Sequence, residues 1–321
     1  PDDWARRFRP VERTHDVHVI YGTRPVEDAC TGQRVEAEVL LIDVFHANPA
    51  RLNLFKGQLW AKFAVPSDRF ESTWEYEQYV RLAEPGFAAL QAIGCGGENG
   101  DGPLVLLAHE YMGMPLALKA VLAGAANTRT VFYAHEVASV RPIVEKHPGH
   151  DTMFYNVLAA AAERGTALEE LFPQALENHK HALVKAARHC DEVFAVGDQI
   201  GDELRFVDRH FRTMDIDVVY NGIPAERIDA AQKAASGERL RAYAQNIFAN
   251  RPTWVFTRVA RPVLSKGIWR DLGVCHFLDA LLAERGETAV YFILGTLGGV
   301  RRARDVRQME RAYGWPVAHE Y

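Results

Sequence analysis

Short apolar runs alternate with segments of helical period along most of the chain, and this alternation constrains the fold more than any other feature. Strand-like runs lie at 15–21 (ended by Gly22), 36–44, 104–107, 130–133, 192–196, 217–224, 254–256 and 289–295. Helical patterns lie at 71–93, broken or kinked at Pro85, and at 115–122, 200–206, 226–250 and 268–284. Strands alternating with helices argue for an α/β chain with parallel sheets. The Asn221-Gly222 turn marks a boundary, which divides the chain into domains 1–224 and 225–321. Each is expected to be a doubly wound α/β domain, the first carrying a polar helical insertion near 142–190. The segment 254–321 is short for a self-sufficient domain of that kind.

The totals exclude several classes. Across 321 residues, 48% hydrophobic and 25% charged composition is ordinary for a globular protein. A net charge of −5 gives no reason to expect nucleic acid or an anionic membrane as partner. No run approaches the ~20 apolar residues of a membrane span. Cys30, Cys95, Cys190 and Cys275 are scattered without a CxxC, so neither a zinc site nor a disulfide framework is expected, and a cytoplasmic setting fits. The glycine-rich stretch 94–102 follows a helix and leads into a strand, the reverse of a dinucleotide fingerprint, and reads as a connection. His179 and His181 are two apart on a polar helix; such positions do not share a face, so both read as surface.

Two places carry candidate chemistry. Consecutive strands end in His109-Glu110 and His135-Glu136, and ligands of open α/β sheets bind beyond the carboxyl ends of strands. Farther on, Arg261 and Lys266 lie five apart between a strand and a helix. Two cations beside a helix N-terminus suit a diphosphate. Arg258 is a rival for Arg261, which the spacing to Lys266 favours. Gly295-Thr296, after the last strand, suits close approach to a nucleotide.

The order of these features resembles the GT-B glycosyltransferases, and within them the glycogen and starch synthases. Arg261 to Gly267 looks like the family's Arg-x4-Lys-Gly donor motif. Val219-Tyr220-Asn221-Gly222-Ile223 looks like its inter-domain "PNG" stretch, with Tyr220 in place of Pro. Phe194-Ala195-Val196-Gly197-Asp198 is similar to a strand end that usually carries Ser where Gly197 stands. Met153-Phe154-Tyr155-Asn156 is similar to the animal and fungal enzymes. The resemblance implies two Rossmann-like domains facing a cleft and retaining transfer of glucose from ADP- or UDP-glucose to an α-glucan such as glycogen. It implies no cofactor and no metal. Arg261, Lys266 and His135 become catalytic residues. Arg258, Gly267, Gly295, Thr296 and Asn221 bind the donor, and His109, Glu110 and Tyr155 line the acceptor side.

Two family features are absent: a first strand with its glycine-rich loop, which would precede Asp16, and an acidic motif, which would follow Tyr321. Both ends are therefore read as cut from a longer protein, with both domains incomplete and weak or no activity expected of this chain alone. Alternatives stay open: a sucrose- or trehalose-forming transferase, a nucleotide-sugar epimerase, or a non-catalytic glucan-binding subunit. The helices of 142–190 offer a surface for homo-oligomers.

Overall fold

A computed structural model describes residues 2–27, 32–96, 103–140, 142, 150–222, 227–262, 266–295, 304, 307–308 and 311–312. The chain forms two compact units, Pro1–Ile223 and Pro224–Tyr321.

The first unit opens with helix α1 (Asp2–His15), followed by strands β1 (His18–Glu27) and β2 (Arg34–Asp43). These strands pair antiparallel with each other, Ile20 opposite Leu41, and form a sheet of their own. That corrects the expectation that they join a parallel sheet. Their inner side packs as a small separate core: Val17 and Val19 meet Phe8 and Val11 of α1 and Ala89 of the helix α3 defined below. The ribbon continues through Gly22 and Pro25, because in a two-stranded sheet each strand is an edge and tolerates Pro. Helix α2 (Pro49–Phe63) was not read from the sequence, although it carries a start signal. The Asn48 side chain accepts from the amides of Ala50 and Arg51, and Pro49 opens the first turn. Helix α3 (Trp74–Ala92) runs unbroken past Pro85, whose ring is buried with Tyr76, Val80, Ala83 and Phe87. Packing there outweighs the lost backbone bond.

The centre of the unit is a parallel sheet in the order β3-β4-β5-β6. Its strands are Leu104–His109, Thr128–Ala134, Glu192–Ala195 and Asp217–Val218. Helix α4 (Glu110–Ala123) leaves β3 at once, five residues before the expected start at Pro115. Helices α5 (His150–Arg164) and α6 (His179–Ala186) lie between β4 and β5, and α7 (Asp198–Val207) follows β5. Gly197 caps α7 without a side-chain bond, and Asp198 sits in its first turn. Phe132, Leu183, Val193, Leu204 and Phe211 are fully buried in the core these elements share. Each such side chain contributes roughly 1.5–3 kcal/mol by leaving water.

The described strands follow one another in chain order, so no reversal of order occurs among them. Leu106 and Ala108 of β3 are buried while Val105 and Leu107 are exposed. A doubly wound sheet would cover both faces of such a strand; among the described residues one face of β3 is left open.

The reading of His179 and His181 as surface is also corrected. Helix α6 packs against both α4 and α7, and His181 is 1% exposed. Its Nε2 meets Glu169 at 3.0 Å, and Lys185 reaches the same carboxylate at 2.8 Å. The hydrogen bond from His181, then Lys185, holds the Glu169 carboxyl down at about 2.

In the second unit, helix α8 (Ala230–Phe248) starts with a capping box between Asp229 and Gln232. Strand β7 (Trp254–Val259), helix α9 (Ile268–Glu284) and strand β8 (Ala289–Leu294) form a parallel strand–helix–strand unit. Gly286, at φ +67°, follows the end of α9. Among the described residues of this unit, the buried apolar side chains are Ala244, Pro252 and Leu282.

Candidate active site at the strand ends of the first unit

The parallel register sets His109 opposite Tyr133, so β3 and β4 end at one level. His135 follows β4 by one residue. Its Nε2 lies 2.9 Å from Nδ1 of His109, and the two rings stack with centroids 5.1 Å apart. In such a contact one ring nitrogen donates and the other accepts, so the two cannot both be protonated there. Burial, and then the charge of His109, lower the His135 pKa, while a hydrogen bond that His135 donates to the Asn221 side chain opposes them. His135 is thereby biased toward the neutral imidazole near pH 7, a form that can both accept and donate a hydrogen bond.

Tyr133 completes the group. It shares a strand face with His135 because the two are i and i+2, and their ring centroids are 4.2 Å apart. Its hydroxyl donates to the Val219 carbonyl at 2.6 Å and lies 3.4 Å from Asn221 Oδ1. The Val219 amide in turn bonds the Ala195 carbonyl at the end of β5. The ends of β3, β4, β5 and β6 thus converge on an exposed surface carrying His109, half-buried His135 and Asn221. Tyr133 was missed from the sequence, although its spacing to His135 was a usable signal.

Glu110 differs from its expected place on the acceptor side. It is 7% exposed, and its Oε1 accepts the amides of His135 at 2.5 Å and Glu136 at 2.7 Å. The carboxylate therefore pins the start of the second His-Glu junction. Burial pushes its pKa up to about 7, against the lowering effect of the Glu136 and His135 amides. Its backbone is left-handed, φ +57°, an uncommon state for a residue other than Gly. That turn folds α4 back onto β3 so closely that a Cβ on Gly113 would sit 2.7 Å from Ala108 Cα.

Tyr155 is exposed on α5 and lines a separate cavity that shares no residue with the histidine pair. Its neighbour Phe154 is buried as a packing residue.

In the second unit, Gly267 caps α9 in the left-handed region, φ +63°. Arg261 and Lys266 are exposed on either side of residues 263–265, which lie outside the described residues. No side-chain hydrogen bond or ion pair engages either cation among the described residues. Arg258 is committed otherwise: it donates to the Lys266 carbonyl and lies 3.6 Å from Asp271, which also accepts from Tyr291. Arg258 thus braces the loop that carries Lys266. Gly295 packs against the Ala260 carbonyl too closely to admit a side chain. Thr296 lies outside the described residues.

Among the described residues no group of three or more His, Cys, Asp or Glu is placed to hold a metal ion, and no helix is long and apolar enough to cross a membrane. No protein-family model matches this chain, and no curated protein matches it.

Proposed function

We propose that the chain is a retaining glucosyltransferase of GT-B type, moving glucose from ADP- or UDP-glucose to an α-glucan without a metal. The observation that carries this reading is the coupled pair His109–His135 at neighbouring parallel strand ends, beside Asn221 and exposed to ligand. The His135 imidazole, lowered in pKa by burial, suits hydrogen bonding to sugar hydroxyls. In the reaction, an acceptor hydroxyl oxygen bonds to the anomeric carbon as the bond to the diphosphate breaks, and the hydroxyl proton leaves with the diphosphate. The barrier comes largely from charge on the departing phosphate. Arg261 forks onto its oxygens and Lys266 adds a point charge, helped by the α9 N-terminus. Their exposure without protein counter-ions supports that role. His109 belongs to the acceptor side; Tyr155, in its separate cavity, does not, and Glu110 acts through the backbone of His135. Gly295 borders the nucleotide.

The test is incubation of the full-length protein with glycogen and either nucleotide-glucose, the glucose carrying label. Label should enter glycogen with retained configuration, and His135→Ala should abolish most of it. Absence of incorporation from both donors would sink the proposal. Glycogen binding without nucleotide binding would instead favour a non-catalytic glucan-binding subunit.

A further inference from the structure

A cavity of about 420 Å³ lies between α5 and α7. Its wall is apolar and built at helical spacing. Leu158, Ala159 and Ala162 come from one face of α5, and Phe206 comes from α7. Tyr155, on the same face of α5, is 53% exposed at the cavity's edge. The volume and the mostly apolar lining are those of a small-molecule site with few polar groups.

The polar end carries excess positive charge. Arg205 is matched by Asp202, 3.1 Å away and one turn earlier. Arg212 has no such partner: its Nε donates to the Arg205 carbonyl at 3.2 Å and its Nη2 to the Thr166 carbonyl at 2.5 Å. No carboxylate lies within ion-pair distance of Arg212 among the described residues. Two backbone carbonyls therefore fix the guanidinium at the cavity while its charge stays unmatched. The Thr166 hydroxyl beside it is buried without a hydrogen-bond partner among the described residues. A half-buried, pre-oriented guanidinium is suited to a carboxylate or phosphate oxygen pair.

We propose that this cavity binds a small amphiphilic anion, with a flat apolar body against Tyr155, Leu158 and Phe206 and a carboxylate or phosphate head on Arg212. The site is distinct from the histidine pair and does not depend on glucosyl transfer. Helix α7 begins directly beyond β5, in the sheet that carries His135, so an occupant would also brace an element behind that site.

The test uses the whole chain and four probes: naphthoate, naphthyl phosphate, naphthylmethanol and inorganic phosphate. Calorimetry measures affinity and amide NMR locates the site. At least one naphthyl anion should bind and move the amides of Leu158 and Phe206, and the tighter of the two identifies the head group. Naphthylmethanol should bind about tenfold more weakly or not at all, because it lacks the charge. Inorganic phosphate should not compete, because it lacks the apolar body. Arg212→Gln should weaken the anion by about tenfold. Since that change also removes bonds to two carbonyls, Ala159→Phe is the second variant: it fills the cavity, leaves Arg212 in place and should abolish binding. His135→Ala should leave binding unchanged. The proposal is overturned if no naphthyl probe binds or the neutral probe binds as well as the anions. It is equally overturned if inorganic phosphate binds as tightly as its naphthyl ester, or if Ala159→Phe binds like the parent.

Discussion

The strand–helix junction at Ala108–Gly113 and the one at Arg258–Gly267 are built in opposite ways. In the first, burial and hydrogen bonds determine every position. Glu110 is left-handed and pinned to two amides, Gly113 rides on Ala108, and His109 stacks on His135. In the second, Arg258 braces the loop while Arg261 and Lys266 stand in solvent without counter-ions. A neutral His135, stacked on His109, can be preformed at the strand ends at little cost. Two neighbouring cations stay hydrated until an anion arrives. The same contrast extends to the units. The first holds a large core; the second buries few apolar side chains among its described residues.

The largest effect should separate the two units by stability. Phe132→Ala removes a fully buried ring and should cost about 3–5 kcal/mol in urea denaturation. Phe277→Ala, at a site 78% exposed, should change stability by no more than about 0.5 kcal/mol. Similar losses in both would break the comparison.

Next comes the role of the solvated cations. Lys266→Ala should lower turnover by about a hundredfold, the scale for losing one transition-state donor, with an unchanged melting temperature. Unchanged turnover would remove Lys266 from the site.

Glu110 offers a pH test of the preformed junction. Its folded pKa, about 7, stands above the ordinary 4.5, so the folded state holds the proton more tightly. Its favourable contribution is full below pH 4.5 and is lost as pH rises through about 7. Glu110→Gln keeps an acceptor for the His135 and Glu136 amides and cannot ionise. Relative to the parent it should gain stability between pH 5 and 7.5, by up to about 3 kcal/mol. A difference that stays constant across that range contradicts the buried-carboxyl account. The smallest effect is expected at Glu169, whose carboxyl is held down at about 2. The stability it contributes is present above pH 4.5 and lost as pH falls toward 2. In Glu169→Gln this acid-side loss, on the order of 1–2 kcal/mol, should shrink in acid denaturation; an unaltered acid limb would count against the network.

The elements legible in the sequence are those whose pattern is local. Strands β3, β4, β5 and β8 are apolar runs between polar turns, and α9 shows its helical spacing and its Gly286 stop. Long-range packing decided the rest. Nothing near β1 says that it pairs antiparallel with β2, and α3 survives Pro85 only because a core surrounds it. Histidine 181 is buried because α6 is wedged between two helices, which spacing within α6 cannot reveal. At the site, the two His-Glu junctions were legible from strand ends alone. The inward turn of Glu110 was not, because it depends on amides 25 and 26 residues away.

The central claim is that His135 belongs to a sugar-binding site at the strand ends of the first unit. The most direct measurement follows the His135 imidazole NMR resonances while the whole chain is titrated with ADP-glucose and with UDP-glucose. In the free protein His135 should titrate below the ordinary 6.5. One donor should then shift its resonances saturably. Resonances that neither donor moves would contradict the account.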